Sequence, residues 1–544
     1  MTRTDQKSDF DIIIVGAGFA GLYMLHRAHE MGLSARVFEA GDNVGGTWYW
    51  NRYPGARCDA ESLAYSFSFD SDLEQEWQWT ERYATQAEIL AYAEHVADRF
   101  DLRRHISFES TVDGARYDDS TNLWSVTVDT GEVASAPFLI MATGCLSVPL
   151  VPDIEGLENY KGKRYQASLW PHESVDFSNQ TIGVIGTGSS AIQAIPVIAQ
   201  QAEHLTVFQR TPNFSVPAVN ASLDDSWVGA FKKNYREHRR FHKLGLSSGF
   251  GDLEIEARER QPDAMTAEGL SDAEFDAMIE ARWEQGGAYI LGTIADTLAN
   301  ETTNARFADF VHRKIRDIVD DPATADALCP TSHPIGTKRI CVDTDYYATY
   351  NRPNVDLVNL REEPIIRITE TGIQLPKRHV AFDTLVLATG FDAMTGALLK
   401  MNIQGSNGQK LKDKWAEGPR TYLGLMMAGF PNLFTITGPG SPSVLSNMLV
   451  SIEQHVDFII SLITHMRDKN SSRIETSLQA EDQWVNHVND IANATLFPKG
   501  GSWYLGANIP GKPRVFMPYA AGVGVYREVC DEVAADNYRG FILS

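Results

Sequence analysis

The chain has 544 residues, 43% hydrophobic and 22% charged, with a formal net charge of −23. That length exceeds one ordinary core and predicts two or three domains. So acidic a surface excludes nucleic acid and anionic membranes as partners and obliges any anionic cofactor to find a locally positive site. No run of 18 apolar residues is available to span a membrane, and the five cysteines (Cys58, Cys145, Cys329, Cys341, Cys530) are scattered without a C-x-x-C pair. The start, MTRTDQKSDFD, lacks the apolar core of a signal peptide, so a cytoplasmic protein without disulfides or bound metal is expected.

The first segment, DFDIIIVGAGFAGLYMLHRAHEMG, reads as a nucleotide-binding unit. Ile12 to Val15 is a short apolar run suited to a buried parallel strand. Gly16, Gly18 and Gly21 then complete G-x-G-x-x-G: a tight turn, a close approach of backbone to pyrophosphate, and helix-on-strand packing. Phe19, Leu22, Leu25 and Ala28 share one side of a helix whose first N–H groups suit phosphate, and Gly32 stops it. The next strand, ARVFEA, ends near Glu39, 18 residues after Gly21, where a carboxylate can accept from a ribose diol. Farther on, TQAEILAYAEHVADRF is an amphipathic helix with a Thr85/Glu88 capping box. LWSVTVDTGE alternates Trp124, Val126 and Val128, as a half-buried strand does.

The nucleotide pattern returns at TIGVIGTGSSAIQAIPVIAQ, where Gly186, Gly188 and Ala191 form G-x-G-x-x-A. Its following strand, LTVFQRTP, sets Arg210 near where the first unit has its acid, and a guanidinium there suits a 2′-phosphate. The first unit is therefore expected to bind FAD and the second NADPH. Two further apolar runs, FLIMATG (138–144) and TLVLATGFD (384–392), both end in Ala-Thr-Gly and mark crossings between the units. The expected fold class is α/β, with two Rossmann-like dinucleotide-binding domains and a helical insertion in the NADP domain. The FAD domain is assigned 1–147 and 388–544, the NADP domain 148–220 and 330–387, and the insertion 221–329. A Ser271/Glu274 capping box opens one helix of the insertion, and its basic run KKNYREHRRFHK (232–243) reads as a solvated helix face.

One segment carries a more specific signal. GGTWYWNRYPGARCD (45–59) matches in full a motif of the flavin-dependent (class B) Baeyer–Villiger monooxygenases. RYPGARCD, GTKRI, GPGSPSVLSNM, SIEQHV and SWYLGANIPGKPRVFMP resemble the phenylacetone and steroid monooxygenase branch of that family over nearly the whole chain. YKGKRYQASLWP (160–171) resembles the family's second fingerprint, but Tyr160 stands for its Phe and Gln166 for its His. That stretch is expected on the linker between the two units, as a hinge element.

The resemblance implies site residues. Arg339 resembles the arginine beside the flavin C4a, which holds the peroxyflavin anion and the oxyanion of the Criegee intermediate, and Asp59 resembles its carboxylate partner. Lys338 would clamp the 2′-phosphate with Arg210, and Thr187, Ser189, Ser190 and Gln193 would line the pyrophosphate, with Thr211 beside them. Trp503 resembles a loop residue that folds over the nicotinamide. Thr47, Trp48, Trp50 and Tyr65, with Arg57 and Val112, would surround the flavin. Leu146, Val444, Leu445 and Met448 match positions lining a ketone pocket.

The implied activity is NADPH- and O2-dependent conversion of ketones (aryl-alkyl, linear, cyclic or steroid-like) to esters or lactones, with sulfoxidation as a side activity. Heteroatom oxygenation and an NADPH oxidase that yields only peroxide are the alternatives. A disulfide reductase is disfavoured because no cysteine pair is spaced for it. The expected partners are a small ketone and dioxygen, and the expected state is a monomer or weak homo-oligomer.

Overall fold

A computed structural model describes residues 8–244 and 265–544. Its frame is two five-stranded parallel sheets of matching design. In the first, strand Ile12–Val15 lies between Ala35–Phe38 and Phe138–Met141, and Ile106–Ser107 and Leu433–Thr435 form the edges. In the second, Thr181–Ile185 lies between His204–Gln209 and Thr384–Leu387, flanked by Val355–Asn359 and Lys163–Gln166. Each glycine-motif strand thus has its own successor on one side and an Ala-Thr-Gly strand on the other. All four residues of Ile12–Val15 and of Thr384–Leu387 are buried, which explains their unbroken apolar character.

Two glycines show why the motifs read as they do. Gly16 has φ +103°, and a Cβ on Gly21 would sit 1.9 Å from the Gly16 carbonyl oxygen, so helix Phe19–Glu30 could not close on its strand with any side chain there. Helix Met448–Asp468 covers this helix from the other side, so the C-terminal third of the chain completes the first core. A four-stranded sheet, built from Val112–Asp118, Leu123–Val128, Val133–Ala136 and Asn402–Gln404, packs on the first unit, with Trp124, Val126 and Val128 facing inward.

Three local expectations change. Helix Gln86–Arg99 has Thr85 as its cap, but the Glu88 carboxylate accepts from the Thr80 backbone N–H instead of closing the box. The complete box is at Ser271/Glu274, on helix Asp272–Gln285. The basic run is a solvated face only in part: Lys233, Arg236 and Arg240 are exposed, but Arg239 is buried, 2.7 Å from Glu74, and donates to the Ala64 and Phe67 carbonyls and the Ser66 hydroxyl. Lys232 caps the Gln75 and Trp77 carbonyls in the same region. Cationic heads on the successive helices Asp225–Lys233 and Tyr235–Leu244 stitch them to the first unit, a use that charge content alone does not reveal. Finally, YKGKRYQASLWP is no free linker. Lys163–Gln166 is an edge strand of the second sheet, with Gln166 opposite Leu387, and Tyr160 donates to the Phe382 carbonyl.

Beneath the first unit, His455 is fully buried, its Nδ1 accepting from the Thr437 N–H at 2.8 Å. Burial, with a smaller push from Arg527, lowers its pKa to about 3. The folded state needs the neutral ring, while the unfolded chain binds a proton near pH 6.5. This contribution to stability is therefore full above about pH 6.5 and is lost as pH falls toward 3, with a slope of up to about 1.4 kcal/mol per pH unit. Urea unfolding between pH 7 and 5 should show that decline, and His455→Gln should flatten it. An equal slope in the variant would remove His455 from the account.

Candidate active site

The loop carrying GGTWYWNRYPGARCD runs from the first unit onto the second. Gly55, at φ +78°, lies against the helix Ser189–Gln201, where a Cβ would meet the Gln193 carbonyl oxygen at 2.4 Å. Gln193 ties the same contact: its Oε1 accepts from the Tyr53 hydroxyl at 2.8 Å, and its Nε2 donates to the Arg57 carbonyl at 3.1 Å. The motif is thus a docking loop between the units, and it ends on Asp59.

Asp59 meets Arg339 there, across 280 residues of sequence. Arg339 Nε and Nη2 both stand 2.7 Å from the two carboxylate oxygens, a bidentate fork that fixes the guanidinium plane. Arg339 Nη1 donates to the Val444 carbonyl at 2.6 Å. Burial works against this cation, but the charge and hydrogen bonds of Asp59 outweigh it and hold Arg339 protonated well beyond the ordinary arginine range. Beside the fork, Leu146, Val444, Leu445, Met448 and Trp503 join one apolar cluster with Tyr504, Phe497 and Phe516. An anchored positive charge therefore borders an apolar, partly buried wall.

The second unit shows another gathering of charge. Arg210 follows strand His204–Gln209, and Arg361 follows its parallel neighbour Val355–Asn359, where Gln209 is opposite Asn359. Lys338 completes the group. Burial first, then the nearby Arg210 and Arg361, lower its pKa below the lysine range. Among the described residues, no carboxylate forms an ion pair with Arg210, Lys338 or Arg361. Gly188, at the start of helix Ser189–Gln201, has open space where a Cβ would point. Thr187 donates to the Thr211 carbonyl at 2.8 Å, and the Ser189 hydroxyl lies 3.3 Å from the Cys341 sulfur. Ser190 lies beside the buried Tyr53 and opposes the rise that burial gives the pKa of that phenol.

On the first unit, Glu39 is buried, and its two oxygens accept from the Ala17 and Gly41 N–H groups at 2.7 and 2.8 Å. Burial raises its pKa, with those hydrogen bonds opposing. Gly18 faces Gly46 across the entry to the helix. Thr47, Trp48 and Trp50 form one short helix, and Trp48 Nε1 donates to the Tyr65 hydroxyl at 3.1 Å, with Phe19 edge-on to Tyr65. Val112 is buried at the start of its strand. Arg57 is turned away from this group: it pairs with Glu81 at 2.8 Å and caps the Tyr83 carbonyl.

Comparison with known proteins gives a consistent result. A family described as Pyridine nucleotide-disulphide oxidoreductase matches residues 13–258. A "Baeyer-Villiger monooxygenase" from Pseudooceanicola batsensis is 40% identical, covering 98% of this chain and 96% of that protein. This chain belongs to the Baeyer–Villiger monooxygenase family. A solved "Oxidized steroid monooxygenase bound to NADP" superimposes with a TM-score of 0.92 at 49% identity, covering 98% of this chain and 99% of the other. A phenazine N-monooxygenase from Lysobacter antibioticus is 39% identical, over 99% of this chain and 98% of its own length. As a Baeyer–Villiger monooxygenase the chain is a flavoprotein that uses FAD and NADPH.

The disulphide in the matched family's description refers to a scaffold shared with other chemistry. All five cysteines here are free and buried. Burial raises the pKa of Cys341 to about 12 and pushes that of Cys58 higher still, so neither is an available thiolate. No helix among the described residues is long and apolar enough to cross a membrane. Two residues of these gatherings were not foreseen from sequence. Arg361 joins the cationic group only because its strand neighbours the one before Arg210, and Tyr504 packs in the apolar cluster that contains Val444, the residue whose carbonyl accepts from Arg339.

Proposed function

We propose that this Baeyer–Villiger monooxygenase oxidises ketones with apolar flanks, and that Arg339 is its oxyanion-binding cation, held by Asp59. The overall reaction balances as ketone, NADPH, a proton and O2 giving ester or lactone, NADP⁺ and water. Bound FAD, reduced by NADPH, supplies the activated oxygen. The residues present suit both cofactors. Gly16, Gly18 and Gly21, with the N-terminus of helix Phe19–Glu30, would receive the FAD pyrophosphate, and Glu39 its ribose. Arg210, Lys338 and Arg361, a cationic group without an acidic partner among the described residues, would hold the NADPH 2′-phosphate, and the open face of Gly188 would take its pyrophosphate.

The chemistry asked of the protein is charge, position and dryness. As oxygen adds to the carbonyl carbon, negative charge grows on the ketone oxygen, and a preorganised guanidinium stabilises it without reorienting. Asp59 locks that guanidinium in plane, and Val444 fixes its third nitrogen. Leu146, Val444, Leu445, Met448 and Trp503 would exclude water from the ketone, which strengthens the interaction. The bidentate Arg339–Asp59 fork against an apolar cluster is the observation that carries this reading. A substrate panel tests it: phenylacetone and a simple cyclic ketone should yield ester and lactone in step with NADPH oxidation. The phenazine N-monooxygenase relative favours a second reading, nitrogen oxygenation. Phenazine consumed with ketones left untouched would replace the first reading by the second.

Gln166 bears on efficiency. Its Nε2 donates to the hydroxyls of Ser168 and Thr389 at 3.2 and 3.4 Å, while its buried Oε1 has no hydrogen-bond partner. Thr389 in turn donates to the Leu150 carbonyl, where the chain passes between the units. An unpartnered buried oxygen costs about 1–3 kcal/mol, so Gln166→His should raise unfolding stability and lower the share of NADPH lost as peroxide. Equal coupling in both proteins would show that this position is indifferent.

A further inference from the structure

The carboxylate that orients Arg339 stands on a segment with backbone neighbours of its own. Residues 56–62 run beside residues 82–86: the Cys58 N–H donates to the Ala84 carbonyl at 3.2 Å, that of Ser62 to Arg82 at 2.8 Å, and that of Gln86 to Ala56 at 2.8 Å. Residues 80–83 in turn run beside 220–223, with the Arg82 N–H on the Ala221 carbonyl and the Leu223 N–H on that of Thr80, both at 2.9 Å. The chain comes to residue 220 from strand Ser215–Pro217, which pairs with Cys341–Asp343. Arg339 stands just before that last strand. Asp59 and Arg339 are thus the two ends of one path through hydrogen-bonded backbone, and their fork closes the path into a ring.

One side chain rivets this ring at its middle. Arg82 Nε and Nη2 donate at 3.0 and 2.9 Å to one oxygen of Glu61, which is buried and stands two residues beyond Asp59. Arg82 Nη1 donates to the Gln285 carbonyl at 2.6 Å, at the C-terminal end of helix Asp272–Gln285, and reaches the Ala218 carbonyl at 3.4 Å. The turn after that helix closes on the same place. The Gly287 N–H donates to the Pro217 carbonyl at 2.8 Å, and a Cβ on Gly287 would stand 2.4 Å from the Tyr83 hydroxyl. Asp59, Glu61, Arg82 and Gln285 line one small cavity. A guanidinium can meet the buried Glu61 charge and still reach carbonyls on two other segments, which a lysine cannot do. We propose that Arg82 is a positioning residue: by tying Glu61 to helix Asp272–Gln285 and to residue 218, it fixes the segment on which Asp59 stands and, through Asp59, the plane of Arg339. That role rests on Arg339 being the oxyanion-binding cation.

Two measurements test it. The first is hydrogen exchange on the enzyme loaded with FAD and NADP⁺, without ketone. Arg82→Met should speed exchange of the Cys58 and Ser62 amides roughly tenfold, as expected for one lost hydrogen bond. The second is product analysis with phenylacetone and NADPH. The same variant should lower the ester formed per NADPH severalfold, with peroxide making up the difference, while NADPH reduces the flavin at the wild-type rate. In an Asp59→Asn background, Arg82→Met should lower it no further, because Arg82 acts through Asp59; a merely structural role would subtract again there. Methionine at 82 leaves the Glu61 charge alone in the interior, so Arg82→Met with Glu61→Leu serves if the single variant does not fold. That pair removes both charges and should show the same faster exchange and the same loss. Arg82→Lys, which keeps the charge pair but cannot also span to Gln285, should fall between. Unchanged exchange at Cys58 and Ser62, or an additive loss in the Asp59→Asn background, would overturn the proposal. A wild-type enzyme that forms no ester would overturn the reading of Arg339 instead, and the exchange comparison, which needs no ketone, would still decide whether Arg82 fixes the segment.

Discussion

Replacing Arg339 by alanine is expected to lower ester formation by about 10²–10³-fold, while NADPH still reduces the flavin at its normal rate. The effect is large because the guanidinium is fixed before the reaction begins, its plane set by two 2.7 Å contacts to Asp59. A mobile cation in water would have to reorient as charge develops, and the solvent would screen it. Arg339→Lys should recover little, because an ammonium cannot reproduce the fork on Asp59. Asp59→Asn should fall between wild type and Arg339→Ala, since the cation would remain but lose its alignment. Stopped-flow reduction measured beside product analysis separates the steps. Equal losses in flavin reduction and ester formation would instead assign Arg339 to NADPH binding.

The second large effect concerns the cationic group on the NADP unit. Lys338→Ala or Arg361→Ala should each raise the KM for NADPH by roughly 10–100-fold, the usual worth of a charge-assisted hydrogen bond. Neither should change the KM for NADH, which has no 2′-phosphate, so the preference between the two cofactors should collapse. The losses should not sum, because the three cations share one anion. The acidity of Lys338 adds a pH signature. Burial and its cationic neighbours make it lose its proton below the pH at which an ordinary lysine would. NADPH binding should therefore weaken as pH climbs through the alkaline range, and Lys338→Arg, which stays charged, should remove that dependence. A KM for NADPH insensitive to all three positions would place the 2′-phosphate elsewhere.

The parts of this molecule that sequence foretold are the ones built from near neighbours in the chain. Gly16 and Gly21 are readable because turn, helix and strand all lie within a few residues, and the steric demand that makes them glycine is local. The repeated Ala-Thr-Gly strands are readable for the same reason. Arg339 and Asp59 are different: nothing in spacing joins residues so far apart, and only the resemblance carried by GGTWYWNRYPGARCD and GTKRI brought them together before the structure did. Arg361 had neither aid, since its place depends on which strand neighbours which. The misjudged basic run shows another limit. Lys232 and Arg239 look like solvated charges until Glu74 and five waiting polar groups on other segments are in view. Glu39 was legible as an acid at a strand end, but its hold on Ala17 and Gly41 was not. Through that hold the carboxylate fixes the glycine turn, in addition to the ribose contact proposed for it.

In the proposed function this fold delivers one oxygen atom from O2 into a ketone under the control of the Arg339–Asp59 pair. Mass spectrometry of the product formed from phenylacetone, NADPH and isotopically labelled dioxygen tests it most directly. The expected product is an ester carrying a single labelled oxygen in the bridging position, formed in step with NADPH oxidation and nearly abolished in Arg339→Ala. NADPH oxidised with the ketone recovered unchanged and all the label in hydrogen peroxide would contradict it.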